Sequence, residues 1–439
     1  MRPMRTAVAT ATAVALSLAV LSAASGTATA DDLDTEPAYL SVPGLSGAQT
    51  RALSADGFDV VKRTADGATT VIGDAKVADR LRDRGLEPTV LDTVYKKVST
   101  KAALGEYYGG YKTPDLHFKH LDDVAAAHPD LAKVYDIGDS WLKTQGQGGH
   151  DIKAICITKM ADGDCELSPE SAKPRFSVIS QIHAREIATG EISWRWIDYL
   201  ANGYGSDETV TSILDTTEVW VVPIVNPDGV DKVASGGDSP LLQRKNLDNS
   251  HGDCGGTQTG VDLNRNHSYG WGDAGTQPCS ETFQGPSAGS EPEIVAVEEF
   301  FGKIHPDQRG DGDAPAPDDT RDVMISLHSY GEYLIVPWGH STSPPPNDSQ
   351  LRALGNAMAE SNGYQVGNPS QTVGYLASGT SDDYTYGTLG IASYTFEVGG
   401  QFGECGGFLP AYSCVEDLWT LNQGALITAA QNAKAPYQL

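Results

Sequence analysis

Three stretches of this chain are nearly continuous apolar runs: Phe176 to Ile182, Val219 to Val225 and Val323 to Leu327. A strand with one wet face alternates apolar and polar residues, so a run without alternation belongs to a strand covered on both faces. Helical stretches lie between the runs. Ile192, Trp196 and Leu200 are four apart, and Val415, Leu418 and Trp419 share one side of a segment reaching Ala430. The alternation predicts an α/β fold, a doubly wound, mostly parallel mixed sheet with helices on both faces, over residues 101–439. Two segments read as surface excursions: 306–322, dense in Asp, Gly and Pro, and 340–348, which contains Pro344-Pro345-Pro346.

The residues before this domain are of another kind. Arg2 and Arg5, the apolar stretch Ala7 to Ala24 and the small residues Ala28-Thr29-Ala30 form a signal peptide over 1–30, with cleavage before Asp31. From Asp31 to about Thr100 the order is Tyr39–Val42, a helix over Ala48–Ala55, Phe58–Lys62, Thr69–Ile72, a helix over Ala75–Arg84 and Glu87–Leu91. This is the β-α-β-β-α-β order of a ferredoxin-like unit. Such a unit is either a binding module or a pro-segment. The basic, polar stretch Lys96 to Lys101 reads as an exposed linker.

An exported chain uses cysteine mainly for disulfides, and none of the six here has Cys-x-x-Cys spacing. Fifteen connectivities are open in principle. Local pairs, Cys156/Cys165, Cys254/Cys279 and Cys405/Cys414, are favoured because each flanks a Gly- and Asp-rich loop. With 31 Lys plus Arg against 58 Asp plus Glu, a net charge of −27, the surface repels phosphates and anionic headgroups. Nucleic acid and membrane are therefore not expected as partners, and the protein is expected to be a secreted, extracellular monomer. The acidic cluster Asp311, Asp313, Asp318 and Asp319 matches no calcium-loop spacing and reads as a solvated loop, which leaves calcium unsupported.

Ligands of open α/β sheets gather at the carboxyl ends of strands. There the first run ends in His183-Ala184-Arg185-Glu186 and the third in His328. Two imidazoles and one carboxylate make a donor set suited to a catalytic Zn²⁺ with an open position. Val261-Asp262-Leu263-Asn264-Arg265-Asn266 follows a Gly-rich loop, and Glu397 ends the apolar segment Tyr394-Thr395-Phe396. A carboxylate buried there without a partner would cost several kcal/mol. Tyr375-Leu376-Ala377-Ser378-Gly379 has the composition of a mobile lid.

Together these motifs resemble the zinc metallocarboxypeptidases of the pancreatic carboxypeptidase A/B type, in a secreted microbial form, from about Leu104 to Leu439. Asn226-Pro227-Asp228-Gly229 repeats another segment of the family, while the interval from Arg265 to His328 is longer than in it. The resemblance implies one zinc per chain on His183, Glu186 and His328, with Asp262 fixing the tautomer of His183. It implies Glu397 as the general base and Arg244 as the stabiliser of the developing oxyanion. Asn264, Arg265 and Tyr375 would grip a peptide's free C-terminus, and Arg185 would touch the next residue inward. Asp382, seven residues after Tyr375, falls where basic-preferring members carry an acid in the S1′ pocket. The implied activity is removal of single C-terminal residues, basic or hydrophobic, and residues 31–100 become a pro-segment released by an activating protease. Two other readings are a zinc amidase of cell-wall peptides, which would not need the Asn264, Arg265 and Tyr375 clamp, and a non-catalytic zinc-binding homologue, whose mark would be loss of Glu397.

Overall fold

The computed structural model describes residues 35–98, 101–252, 254–310 and 314–439. The expected signal peptide lies outside them, as do Asp311 and Asp313 of the acidic loop.

The N-terminal unit runs β1 (Ala38–Val42), α1 (Gly47–Ala55), β2 (Asp59–Arg63), β3 (Thr69–Gly73), α2 (Ala75–Arg82) and β4 (Thr89–Thr93). Its sheet has the order β2-β3-β1-β4, antiparallel throughout, which is the ferredoxin-like arrangement. Helix α1 starts where it does because Ser46 and Gln49 form a reciprocal capping box. Strand β4 begins after Pro88, two residues later than expected, since proline has no N–H for a ladder. Leu40, Val42, Leu53, Phe58, Val71 and Leu81 form this unit's own core.

The larger domain opens with the ribbon β5 (Glu106–Tyr107) and β6 (Tyr111–Lys112), then α3 (Pro114–Ala127), β7 (Ala132–Asp139), α4 (Trp141–Thr144) and β8 (Asp151–Ile157). Next come β9 (Arg175–Ser180), α5 (Ile187–Gly203), α6 (Glu208–Thr216), β10 (Glu218–Val222) and α7 (Pro227–Ala234). The chain continues through α8 (Pro292–Ile304), β11 (Val323–His328), β12 (Tyr333–Ile335), α9 (Asp348–Asn362), β13 (Gln365–Gly367), α10 (Ser381–Leu389), β14 (Ala392–Glu397) and α11 (Val415–Asn432). Its eight-stranded sheet has the order β13-β12-β14-β11-β9-β10-β8-β7. The central strands β10, β9, β11 and β14 are parallel, and antiparallel pairings flank them, so the sheet is mixed, as the sequence predicts.

Three of those central strands, β9, β10 and β11, are the apolar runs, and their lack of alternation has the expected cause. Val178, Val221 and Ile325 pack on one side with Trp196 of α5 and Leu426 of α11. Their neighbours Ile179, Trp220, Val222 and Met324 pack on the other with Phe300 and Phe301 of α8. Each such side chain contributes roughly 1.5–3 kcal/mol on burial.

The three local disulfides Cys156–Cys165, Cys254–Cys279 and Cys405–Cys414 are present. Among the described residues no helix is long and apolar enough to cross a membrane.

Candidate active site

Strands β9, β11 and β14 are parallel neighbours, so their carboxyl ends open on one edge of the sheet. His328 is the last residue of β11 and lies in register with Glu397, the last of β14. After β9 the chain turns through Gln181, whose φ is +46°, into the His183 to Glu186 segment that starts α5. His183 Nδ1 lies 2.7 Å from Glu186 Oε1 and 3.0 Å from His328 Nδ1, which is 3.0 Å from Glu186 Oε2. All three side chains are buried.

Two ring nitrogens face each other across a carboxylate, a convergence of lone pairs that a cation satisfies. Donor atoms at these separations fit the corners of a tetrahedral zinc site. The opposite ring nitrogen of His183, Nε2, lies 3.1 Å from Asp262 Oδ1. If Nε2 carries the proton, the Nδ1 lone pair is left free to ligate. Burial first, then Arg244, lowers the His183 pKa and favours the neutral imidazole. Burial opposes ionisation of Glu186, but His183 and His328 outweigh it and hold the carboxyl far below the usual range.

Asp262 is a junction. Its Oδ1 also caps the 3₁₀ turn Leu263–Arg265 by accepting from Asn264 N, so it is both the turn cap and the partner of His183. Its Oδ2 accepts from Arg244 Nε and Nη2 at 3.1 and 2.9 Å. Fully buried, Asp262 is nonetheless held well below the ordinary aspartate range, because Arg244, Arg265 and His183 together outweigh desolvation. Arg244 thus keeps its third nitrogen, Nη1, toward the His183, Glu186 and His328 donor set, 3.8 Å from Glu186 Oε1.

Asn264 and Arg265 are buried in the same turn, and the Asn264 amide lies 3.3 Å from His328 Nε2. Gly379, with φ +69°, packs on this turn so closely that a Cβ would stand 2.5 Å from the Arg265 carbonyl oxygen. That contact seats the end of the loop carrying Tyr375. Burial raises the Tyr375 phenol, while Arg265 and Arg244 draw it down, which places the phenol in the field of the two arginines. Burial, the largest influence, lifts Glu397 to about 8, with His328 opposing. Asp382, near the start of α10, is buried beside Asp383 and is lifted to about 6, by burial first and then by its neighbour. Asp383 is engaged by the N–H groups of Gly339 and His340 and by the His340 ring.

Arg185 is not on open surface. It is 2% exposed, stacks over Phe408 with 4.2 Å from Cζ to the ring centre, and makes a bidentate pair with Asp59 of the N-terminal unit. That unit covers the cleft at several further points. Tyr39 packs edge-on against Tyr330 and accepts from Phe408 N, Lys62 Nζ donates to Tyr333, and the Arg63 carbonyl lies against Gly374 beside Tyr375. Asp59 and Glu281 beside Arg185 carry no motif in the sequence, whereas Asn226 belongs to the Asn-Pro-Asp-Gly segment of the resemblance. Asn226 caps α7 and reaches toward the carbonyls of Ile182 and Arg244, bracing the metal loop. Asp318 and Asp319 are exposed and belong to none of the metal-ligating groups among the described residues.

The family described as zinc carboxypeptidase matches residues 118–424. Carboxypeptidase A2 of Mus musculus is 30% identical over 324 residues, spanning 71% of this chain and 68% of the relative. Carboxypeptidase A1 of Rattus norvegicus is 29% identical over 343 residues, 75% and 72% of the two chains. In fold, the chain is similar to the carboxypeptidase A from Helicoverpa armigera, with a TM-score of 0.72 at 22% identity over 91% of this chain and 98% of the other. Thrombin activatable fibrinolysis inhibitor gives a TM-score of 0.68 at 21% identity over 91% and 99%.

Proposed function

Because the chain belongs to the zinc carboxypeptidase family, we propose that it is a secreted, extracellular exopeptidase, made as a latent precursor, that removes single basic or hydrophobic residues from peptide C-termini. The observation that carries this reading is one cleft holding the His183, Glu186 and His328 donor set, Glu397 at the end of the adjacent strand and the Asn264–Arg265 turn.

His183, Glu186 and His328 would hold a zinc ion, which would supply Lewis-acid polarisation and lower the pKa of the attacking water to about 7. Asp262 orients His183 and Arg244 together. Glu397 accepts the proton of the attacking water and hands it to the leaving amide nitrogen. Arg244 meets the charge that develops on the scissile carbonyl oxygen. The Arg265 fork, with Asn264 and the Tyr375 hydroxyl, holds the substrate's terminal carboxylate, which restricts cleavage to the last peptide bond. Asp382 receives a basic side chain in the S1′ pocket.

Residues 31–100 act as the pro-segment. Support comes from Asp59 on Arg185, from Tyr39 on Tyr330 and from the exposure of Lys97, Lys101 and Leu104 after β4, within reach of an activating protease. Signal removal after Ala30 and a monomeric state complete the proposal. The test is release of a free amino acid from a C-terminally unblocked dipeptide but not from its amide, using the chain cut near residue 100. Equal hydrolysis of the amide would remove the carboxylate clamp from the mechanism and favour the amidase reading.

A further inference from the structure

Behind the Arg185–Asp59 pair stands a second carboxylate. Glu281 is 4% exposed, and its Oε2 lies 3.9 Å from Arg185 Nη1, beyond hydrogen-bond length. That oxygen and Arg185 Nε are both buried without a hydrogen-bond partner. Unmade bonds on both sides of one buried ion pair are costly, so the arrangement favours closure once a competitor leaves.

The backbone around Glu281 is held in place. Cys279 is bonded to Cys254, Lys245 Nζ donates to the carbonyls of Pro278 and Ser280, and the Phe283 carbonyl accepts from Asp262 N. The Phe408 ring packs against the guanidinium. Burial, and next the like charge of Asp59, raises the Glu281 carboxyl, so Asp59 disfavours the ionised form that would pair best with Arg185.

Resting on the reading of residues 31–100 as a removable pro-segment, we propose that Glu281 is a positioning residue that takes Arg185 over from Asp59 when that segment leaves. Closing the 3.9 Å gap would hold the guanidinium ready for the backbone carbonyl of the residue before the scissile bond. Two carboxylates thus compete for one cation: Asp59 in the latent chain, Glu281 in the cut enzyme.

Glu281→Gln keeps the shape and removes the charge, and two measurements follow. In the cut enzyme, a blocked dipeptide and a substrate one peptide unit longer, ending in the same two residues, are compared. The variant should raise KM for the longer substrate about 5- to 10-fold, the scale of one hydrogen bond, with kcat unchanged and the shorter substrate unaffected. Glu281→Asp should show the same length dependence at smaller amplitude. In the uncut chain treated with protease, Glu281→Gln should lengthen the interval between cleavage, read on a gel, and the rise of activity, because Asp59 then has no rival. Asp59→Asn should shorten it. A change equal for both substrate lengths, or an interval that does not lengthen, overturns the proposal. Equal activity of uncut and cut wild-type protein would instead remove the latency reading, and the substrate-length comparison is made on cut enzyme alone.

Discussion

Replacing Asp382 by Asn removes a charge from the S1′ pocket with little change of shape, and the structure sets the size of the effect. Asp382 is 2% exposed and its pKa rises from 3.8 to about 6. At about 1.36 kcal/mol per pH unit, holding this carboxylate ionised costs about 3 kcal/mol relative to water. An incoming ammonium or guanidinium group offsets that cost by pairing with the charge, on the scale of one charged hydrogen bond. Asp382→Asn should therefore lower kcat/KM for C-terminal Arg or Lys by roughly 1–3 kcal/mol, about 5- to 150-fold, and leave Leu or Phe nearly unaffected. In the wild type, the preference for basic residues should decline as pH falls through about 6, as Asp382 takes up a proton. In the variant it should be flat. Stability gives an independent readout. Folding raises this pKa, so the stabilising contribution of the protonated acid is complete below about pH 4 and lost as pH rises through about 6. The Asn variant should accordingly melt higher than wild type at pH 7 and about equally at pH 4. A parallel loss on both substrate types would mean that Asp382 is structural; no loss on either would mean that another acid serves the pocket.

Metal analysis should find close to one zinc per mature chain, and His328→Ala should lose both zinc and activity, because two remaining ligands hold the ion poorly. Glu397→Gln should retain zinc while losing orders of magnitude in kcat; near-wild-type turnover would remove Glu397 from the mechanism. Arg244→Ala should cost about 10²–10³ in kcat with a smaller change in KM, as loss of an oxyanion donor does. The chain cut before residue 31 but left intact at the linker should be poorly active until cleaved near residue 100, with zinc content unchanged on cleavage.

Sequence alone determined the element order of the N-terminal unit and marked three central strands and two helices of the larger domain, because burial on both faces writes continuous apolar runs and a helix writes its own period. It also marked the candidate site. His183, Glu186, His328 and Glu397 stand where runs end, and strand ends are where an open sheet exposes polar groups. The resemblance then supplied roles for Arg244, Asn264, Arg265, Tyr375 and Asp382. What tertiary structure alone decided concerns pairs far apart in the chain. Asp262 stands two residues before Asn264 in sequence, yet its hold on His183 and Arg244 depends on a turn folding back against the β9 loop. Asp59, 126 positions before Arg185, carries no motif that marks it as a partner, and Glu281 looks like any acid beside a disulfide. Local patterns record what each segment needs from its surroundings, namely burial, a cap or a wet face. Which charge meets which depends on the docking of one unit on another, and one-dimensional periodicity does not encode it.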